Sequence, residues 1–290
     1  MDDFAVVVNN SDNFTLFFFI MIHRKLSEIW IYPIKSLPGF RVRSARVLEK
    51  GLEGDRRMML VDDENRFLTQ RELTKMALFN VSIDHGFVMI SHRINKNLHP
   101  ITIDATQPIS NPAIACAIWD DTVEAHEMNA MYSKWFSDAL GINCRLMLFP
   151  EQNERRVDVK YVAEEKQTSL SDGYPYLVIG QESLKDISKR VGESLTIRRF
   201  RPNFLFEGGA AYEEDTWRNF HIGSVKFRGV KSCGRCVLTT VDPDTGEKGV
   251  EPLKTLASYR SRNGKVLFGQ NVIALEDGLI NEGDDISVYE

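Results

Sequence analysis

Apolar and polar residues change places along this chain in short runs, most of them too brief to make a helix. The stretch "SEIWIYPIKS" is an apolar run that stops at Pro33. The segment "ARVLEKGLEGDRRMMLVDDENRFLTQ" reads as two strands flanking glycine-containing turns, with the polar break "DDEN" at 62–65 as a hairpin loop. "VSIDHGFVMISH" and "LHPITID" carry the same pattern on to about residue 125. Later strands are predicted in "RPNFLFEG", "SVKFRGV", "RCVLTTV", "LFGQNVIAL" and "DISVYE". Three segments change to a helical period. "NAMYSKWFSDALG" places Met131, Trp135 and Leu140 on one face and ends at Gly141. "GQESLKDISKRVG" has Leu184, Ile187 and Val191 on a stripe stopped by Gly192, and "EPLKTLASYR" has Pro252 suited to a first turn, followed by Leu253, Leu256 and Ala257.

Short strands outnumber helices, and the helices do not alternate with strands as βαβ units would. The expected class is therefore mainly β (α+β), a β-barrel or sandwich with a few peripheral helices, rather than a doubly wound sheet. A soft boundary falls at 145–160, where "FPEQNERRVDVKY" breaks the apolar pattern with charge. The expected division is an extension over 1–24, a first β-barrel domain over 25–145 and a second over 146–290.

Composition narrows the function classes. Of 290 residues, 43% are hydrophobic and 27% charged, a globular balance. The net charge of −5 offers no bulk basic character to hold a nucleic-acid backbone, so any anion site must be built from a few placed Arg and Lys residues. Four cysteines without a framework of spacings do not read as a disulfide scaffold, and Cys116 and Cys144 lie among apolar residues as small buried hydrophobes. The apolar run "FTLFFFIMI" at 14–22 is about half the length of a membrane span. It is followed, not preceded, by the basic residues His23, Arg24 and Lys25, the wrong order for a secretory signal. Met21 offers a second start, and the expected location is cytoplasmic.

The segment "KSCGRCVLTTVDPDTG" holds Cys233 and Cys236. A thioredoxin-like pair is expected at the start of a helix, whereas "VLTTV" is β-branched and reads as a strand. A zinc site needs two further ligands, and His221 is the only histidine nearby. Residues three apart in an extended segment face opposite sides, so one thiol at most would face a given pocket. That favours a single-cysteine role, or none. His85, His92 and His99 are assigned no metal. The acidic run "YEEDTW" at 212–217 reads as a solvated loop closed by an aromatic anchor rather than a carboxylate cluster. Basic residues beside turns are more suggestive: Lys35 and Ser36 in "YPIKS", Arg56 in "GDRR", and Arg201, which Pro202 should hold extended. Loop-borne Arg, Lys, Ser and Asn are the donors that would hold a phosphate-bearing group.

Seven strings in order, "IYPIKS", "GLEGDRRMMLVD", "FLTQRE", "SDGYPYLVIG", "RFRPNFLF", "CGRCVLTTVDPDTG" and "LFGQNV", resemble the MOSC-domain proteins with an N-terminal MOSC β-barrel domain. The resemblance runs from about residue 26 to 290 and points to the branch of the mitochondrial amidoxime-reducing component and its bacterial counterparts. It implies a molybdenum cofactor (Mo-molybdopterin) with Cys236 as metal ligand and catalytic centre. It also implies cofactor contacts from Lys35, Ser36, Arg56, Arg201, Asn203, Gly234 and Arg235, with Arg235 helping to hold the Cys236 sulfur deprotonated. The activity implied is reduction of N-hydroxylated compounds such as amidoximes and hydroxylamines. With no cysteine cluster after Cys236, electrons are expected from a separate flavin or haem redox protein. Gly173 and Tyr174 stand where amidoxime-reducing members have Thr-Ser, and Asn271 stands for a tyrosine, as in the bacterial branch. Two other readings are a cofactor-binding or sulfur-carrier protein of cofactor maturation and a cofactor-free interaction module.

Overall fold

Strand pairing closes on itself in the second half of the chain. The computed structural model describes residues 23–108, 110–162 and 164–289, together with a short pairing of Ala5–Val6 with Phe17–Phe18. The expectation for residues 1–24 lies almost wholly outside the described residues. In chain order the strands are β1 (Arg24–Ile31), β2 (Phe40–Val42), β3 (Ser44–Leu48), β4 (Gly51–Leu52), β5 (Met58–Val61), β6 (Phe79–Asp84), β7 (Phe87–His92), β8 (Ile101–Asp104), β9 (Ala113–Ile118), β10 (Asp121–Glu127) and β11 (Arg145–Leu148). The second half adds β12 (Tyr176–Gly180), β13 (Phe204–Glu207), β14 (Asn219–Ile222), β15 (Val225–Arg235), β16 (Ser261–Arg262), β17 (Lys265–Ala274), β18 (Gly278–Asn281) and β19 (Asp285–Tyr289). The helices are α1 (Ala130–Leu140), α2 (Gln181–Val191) and α3 (Leu253–Tyr259). The mainly β class expected from the pattern is what the chain adopts.

Seven strands form a closed barrel in the order β12-β13-β1-β19-β14-β15-β17, with β17 pairing back to β12 through Val178 and Gln270. Closure joins the two ends of this strand order to each other, so these seven strands leave no terminal stave unpaired. One stave, β1, comes from the start of the chain. β12 and β13 run parallel, and a parallel pair needs a crossover, which α2 supplies. This is one βαβ unit where the pattern of runs suggested none. The core along these strands is aromatic: Phe220 stacks on Phe227 at 5.5 Å, Tyr176 stacks on Phe204 at 5.4 Å, and Phe227 meets Tyr176 edge-on at 5.7 Å.

The first half builds a four-stranded sheet, β9-β10-β11-β5, and a three-stranded one, β8-β7-β6. β5 is "MMLV" without a polar position because it is buried on both sides: Met58 and Leu60 enter one core, Met59 and Val61 another. The buried stripe of α1 is Tyr132, Phe136 and Leu140, with Met131 at 59% exposure, so the helix is rotated from the face expected from sequence. Gly141 ends it at φ 73° and Gly192 ends α2 at φ 86°, both left-handed as the sequence suggested. The expected strand at "VLTTV" is instead a 3-10 turn, Val237–Thr240. The hydroxyls of Thr239 and Thr240 donate to the carbonyls of Cys236 and Val237, three residues back, local bonds that compete with a strand ladder.

Phe227 sits where these aromatic contacts meet, and truncating it leaves a cavity that the closed barrel has little freedom to collapse. Phe227→Ala is expected to cost about 3–5 kcal/mol in urea unfolding, and a loss below about 1 kcal/mol would contradict this account of the core.

Candidate functional site

Two loops are tied together over one end of the barrel. The loop after β1, residues 32–37, lies against the turn at 53–57. The amide of Tyr32 donates to Asp55 Oδ1 at 2.8 Å, the amide of Arg56 donates to the Tyr32 carbonyl at 2.8 Å, and the amide of Lys35 donates to the Met58 carbonyl at 2.8 Å. Asp55 is fully buried, and its other oxygen accepts from Arg56 Nη1 at 2.5 Å. Asn203 joins this pair of loops to the barrel. Its backbone pairs with Leu177 and Trp30, its Nδ2 donates to the Trp30 carbonyl at 3.2 Å, and its Oδ1 accepts from Arg56 Nη1 at 3.3 Å. Arg56 Nη2 completes the joint by donating to the Arg201 carbonyl at 3.1 Å.

Each cation here has a fixed seat. The guanidinium carbons of Arg56 and Arg201 lie 4.5 and 4.4 Å from the ring centroid of Tyr32. Burial, and then repulsion from Arg56, lowers the Arg201 pKa to about 10. Burial works against the Arg56 charge too, but Asp55 more than restores it and leaves its pKa raised. Lys35 Nζ donates to the Leu170 carbonyl at 3.0 Å and to Asp172 at 2.5 Å, yet burial outweighs Asp172 and lowers its pKa to about 8. Desolvation acts to raise the Asp172 pKa, but Lys35, Arg71 and the Trp119 indole N–H together outweigh it and hold the carboxyl below the ordinary range.

All eight residues nominated from sequence, Lys35, Ser36, Arg56, Arg201, Asn203, Gly234, Arg235 and Cys236, line one cavity of about 120 Å³. Five of its lining side chains are cationic, since Arg71 joins Lys35, Arg56, Arg201 and Arg235, and Asp172 is the carboxylate among them. Three buried polar atoms in this lining have no partner among the described residues: Arg71 Nε, Arg235 Nε and the Tyr174 hydroxyl. Buried donors left unpaired are costly, so this donor-rich set fits an anionic group that would satisfy them. Ser36, Arg56 and Arg201 also hold φ of 67°, 52° and 56°, a left-handed backbone that L side chains rarely adopt.

Several expectations are corrected. Arg201 is not extended before Pro202; its left-handed backbone is held by the bond from Arg56 to its carbonyl. Cys233 and Cys236 both line the cavity: β15 slips register against β17 between Ser232 and Gly234 and the chain then turns at Cys236, so the alternation of an extended strand does not hold there. The Arg235 guanidinium donates to Cys233 Sγ at 3.3 Å and to the Phe200 carbonyl at 2.6 Å, so the sulfur it supports is that of Cys233 and not that of Cys236. The acidic run is not simply solvated. Trp217 anchors it as expected, but Glu214 is fully buried, accepts from the Gly180 amide and Ser183, and has its pKa raised to about 7 by burial. Sequence reasoning also missed Tyr32, Arg71, Trp119 and Asp172. Tyr32, Arg71 and Asp172 lie inside the strings that carried the resemblance, while Trp119 had no local signal.

Comparison with known proteins places two family models on the chain, "MOSC N-terminal beta barrel domain" over residues 23–143 and "MOSC domain" over residues 165–287. The mitochondrial amidoxime-reducing component 1 of Mus musculus is 32% identical over 278 residues, covering 90% of this chain and 81% of that protein. Its Homo sapiens counterpart is 30% identical with 90% and 82% coverage. A molybdenum cofactor sulfurase of Arabidopsis thaliana is 30% identical over 266 residues, covering 84% of this chain and 32% of the sulfurase.

The seat of Lys35 has a pH signature. Its folded pKa of about 8 lies below the ordinary 10.5, so the fold carries the cost of the buried ammonium in full below about pH 8 and loses it as pH rises toward 10.5. The stability of wild type relative to Lys35→Met is therefore expected to rise by about 2 kcal/mol between pH 7.5 and 10. Urea unfolding of both proteins measures this, and a difference that does not change with pH would contradict it.

Proposed function

Because the chain belongs to the family that joins a MOSC N-terminal β-barrel domain to a MOSC domain, we propose that it binds a molybdenum cofactor through Cys236 and reduces N-hydroxylated compounds. The observation that carries this reading is the convergence of five cations, three unpaired buried polar atoms and a free thiol on one cavity. Lys35, Arg56, Arg71 and Arg201 are the groups to hold a phosphate, with Arg235 and the backbone around Gly234 lining the same cavity. A thiolate is a soft donor suited to a soft metal centre.

Bound at this place, the cofactor supplies the two-electron chemistry that converts an N–OH group and two protons into N–H and water, with the electrons coming from a separate redox protein. The chain's own residues orient and compensate charge. Stacking on Tyr32 and the bonds to Asp55 and the Leu37 carbonyl fix where Arg56 and Arg201 present their remaining N–H groups. An anion beside Lys35 would raise its pKa from about 8 and keep Nζ a charged donor at neutral pH. A second reading, a sulfur carrier of cofactor maturation, draws on Cys233 lying in the same cavity with Arg235 on its sulfur.

Protein from a host that makes the cofactor should contain molybdenum and release pterin. Cys236→Ser should lose most of the metal and all benzamidoxime reduction with a chemical reductant, while Cys233→Ser should keep both. Wild type free of both molybdenum and pterin would sink the enzyme reading. Loaded wild type that never turns over would favour the carrier.

A further inference from the structure

Beside the small cavity, the barrel surface opens into a groove of about 1400 Å³, and the two share residues 172–174, 233–235 and Asn271. The groove is charged against the trend of the molecule. The whole chain carries −5, yet seven cationic side chains and only two carboxylates line this surface. Both carboxylates are engaged: Asp172 holds Lys35 and Asp215 holds Arg260. Arg235 is occupied by Cys233 and the Phe200 carbonyl. Lys160, Arg218, Lys231, Arg262 and Lys265 remain, and none has an ion-pair partner among the described residues.

Lys231 among these is built into place. A Cβ on Gly229 would lie 2.0 Å from the Trp217 carbonyl oxygen, so β15 passes that point only as glycine, and its register against β17 shifts between Gly229 and Lys231. Lys231 Nζ then lies 3.8 Å from the ring centroid of Tyr161 and 5.0 Å from that of Tyr174. Tyr174 lines both the groove and the cavity, and its buried hydroxyl has no partner. Further along the same strand pair, Gly234 faces Leu267, and Arg262 pairs with Lys265 in the hairpin of β16 and β17. Lys231 and Arg235 thus stand four positions apart on one strand that runs along the groove to the cavity.

We infer that the groove selects substrates bearing an anionic group, a carboxylate or a phosphate, held by Lys231 while the reducible end reaches the cavity. This rests on the reading of the cavity as the reductive site. An unpaired cation fixed by two aromatic rings loses little freedom on binding an anion, and a hydrogen bond to a charged group is worth enough to discriminate.

The test compares benzamidoxime with its 4-carboxy and 4-phosphono derivatives on molybdenum-loaded protein. A charged derivative is expected to exceed benzamidoxime in kcat/KM by about tenfold, and the ratio should fall to within about twofold in Lys231→Gln. Lys231→Arg should keep the preference, which guards against a mere loss of folding. The derivative with the larger ratio identifies the anion. Equal kcat/KM for charged and neutral substrates overturns the inference and leaves the reductase reading standing. Calorimetric binding of 4-amidinobenzoate, the carboxylated product, gives a readout independent of turnover. If no substrate is reduced, binding that disappears in Lys231→Gln supports the anion site while the reductase reading fails. Absence of binding overturns the site as well.

Discussion

The buried carboxylate of Asp55 is the joint on which the candidate site depends. One of its oxygens takes the amide of Tyr32 and the other takes Arg56, so a single side chain fixes both the loop after the first strand and the turn at 53–57. Arg56 passes that constraint on through Asn203 and the Arg201 carbonyl to the barrel. A charge-assisted bond in a dry place is strong, and its loss would leave two buried partners unpaired. Left-handed backbone at Ser36, Arg56 and Arg201 is sustainable only because the surrounding bonds over-determine it. Such strain gathered around one cavity suits a surface prepared for a ligand.

Charge is arranged with the same economy. The chain is acidic overall, yet cations gather in the cavity and along the groove beside it. The cavity cations are the costly ones, because burial lowers Lys35 and Arg201 from their ordinary values. Asp172 eases Lys35 and Asp55 eases Arg56, but the Nε atoms of Arg71 and Arg235 stay unpaired. A protein gains nothing for its own stability from that arrangement. It is consistent with a group that brings its own negative charge.

Much of this was legible in the sequence, for physical reasons that also mark where legibility ended. Short apolar runs broken by turn residues predicted the β class, and Gly141 and Gly192 predicted helix ends, because those signals are local. The basic residues beside turns, Lys35, Arg56 and Arg201, converge on one cavity with Cys236 as the resemblance implied. What stayed hidden depends on contacts distant along the chain. Arg201 escapes the preference set by Pro202 because Arg56, far away in sequence, captures its carbonyl. Cys233 reaches the same cavity as Cys236 because a register slip breaks the alternation of strand faces. Glu214 is buried inside an acidic run because Gly180 and Ser183 at the start of α2 supply its hydrogen bonds.

The central claim is that Cys236, and not Cys233, holds the metal among these cations. Anomalous diffraction at the molybdenum K edge from crystals of protein made in a cofactor-competent host tests it most directly. The account predicts one anomalous peak within bonding distance of Cys236 Sγ, in the cavity lined by Lys35, Arg56 and Arg201. A peak on Cys233, or molybdenum bound elsewhere with this cavity holding only water, would contradict it.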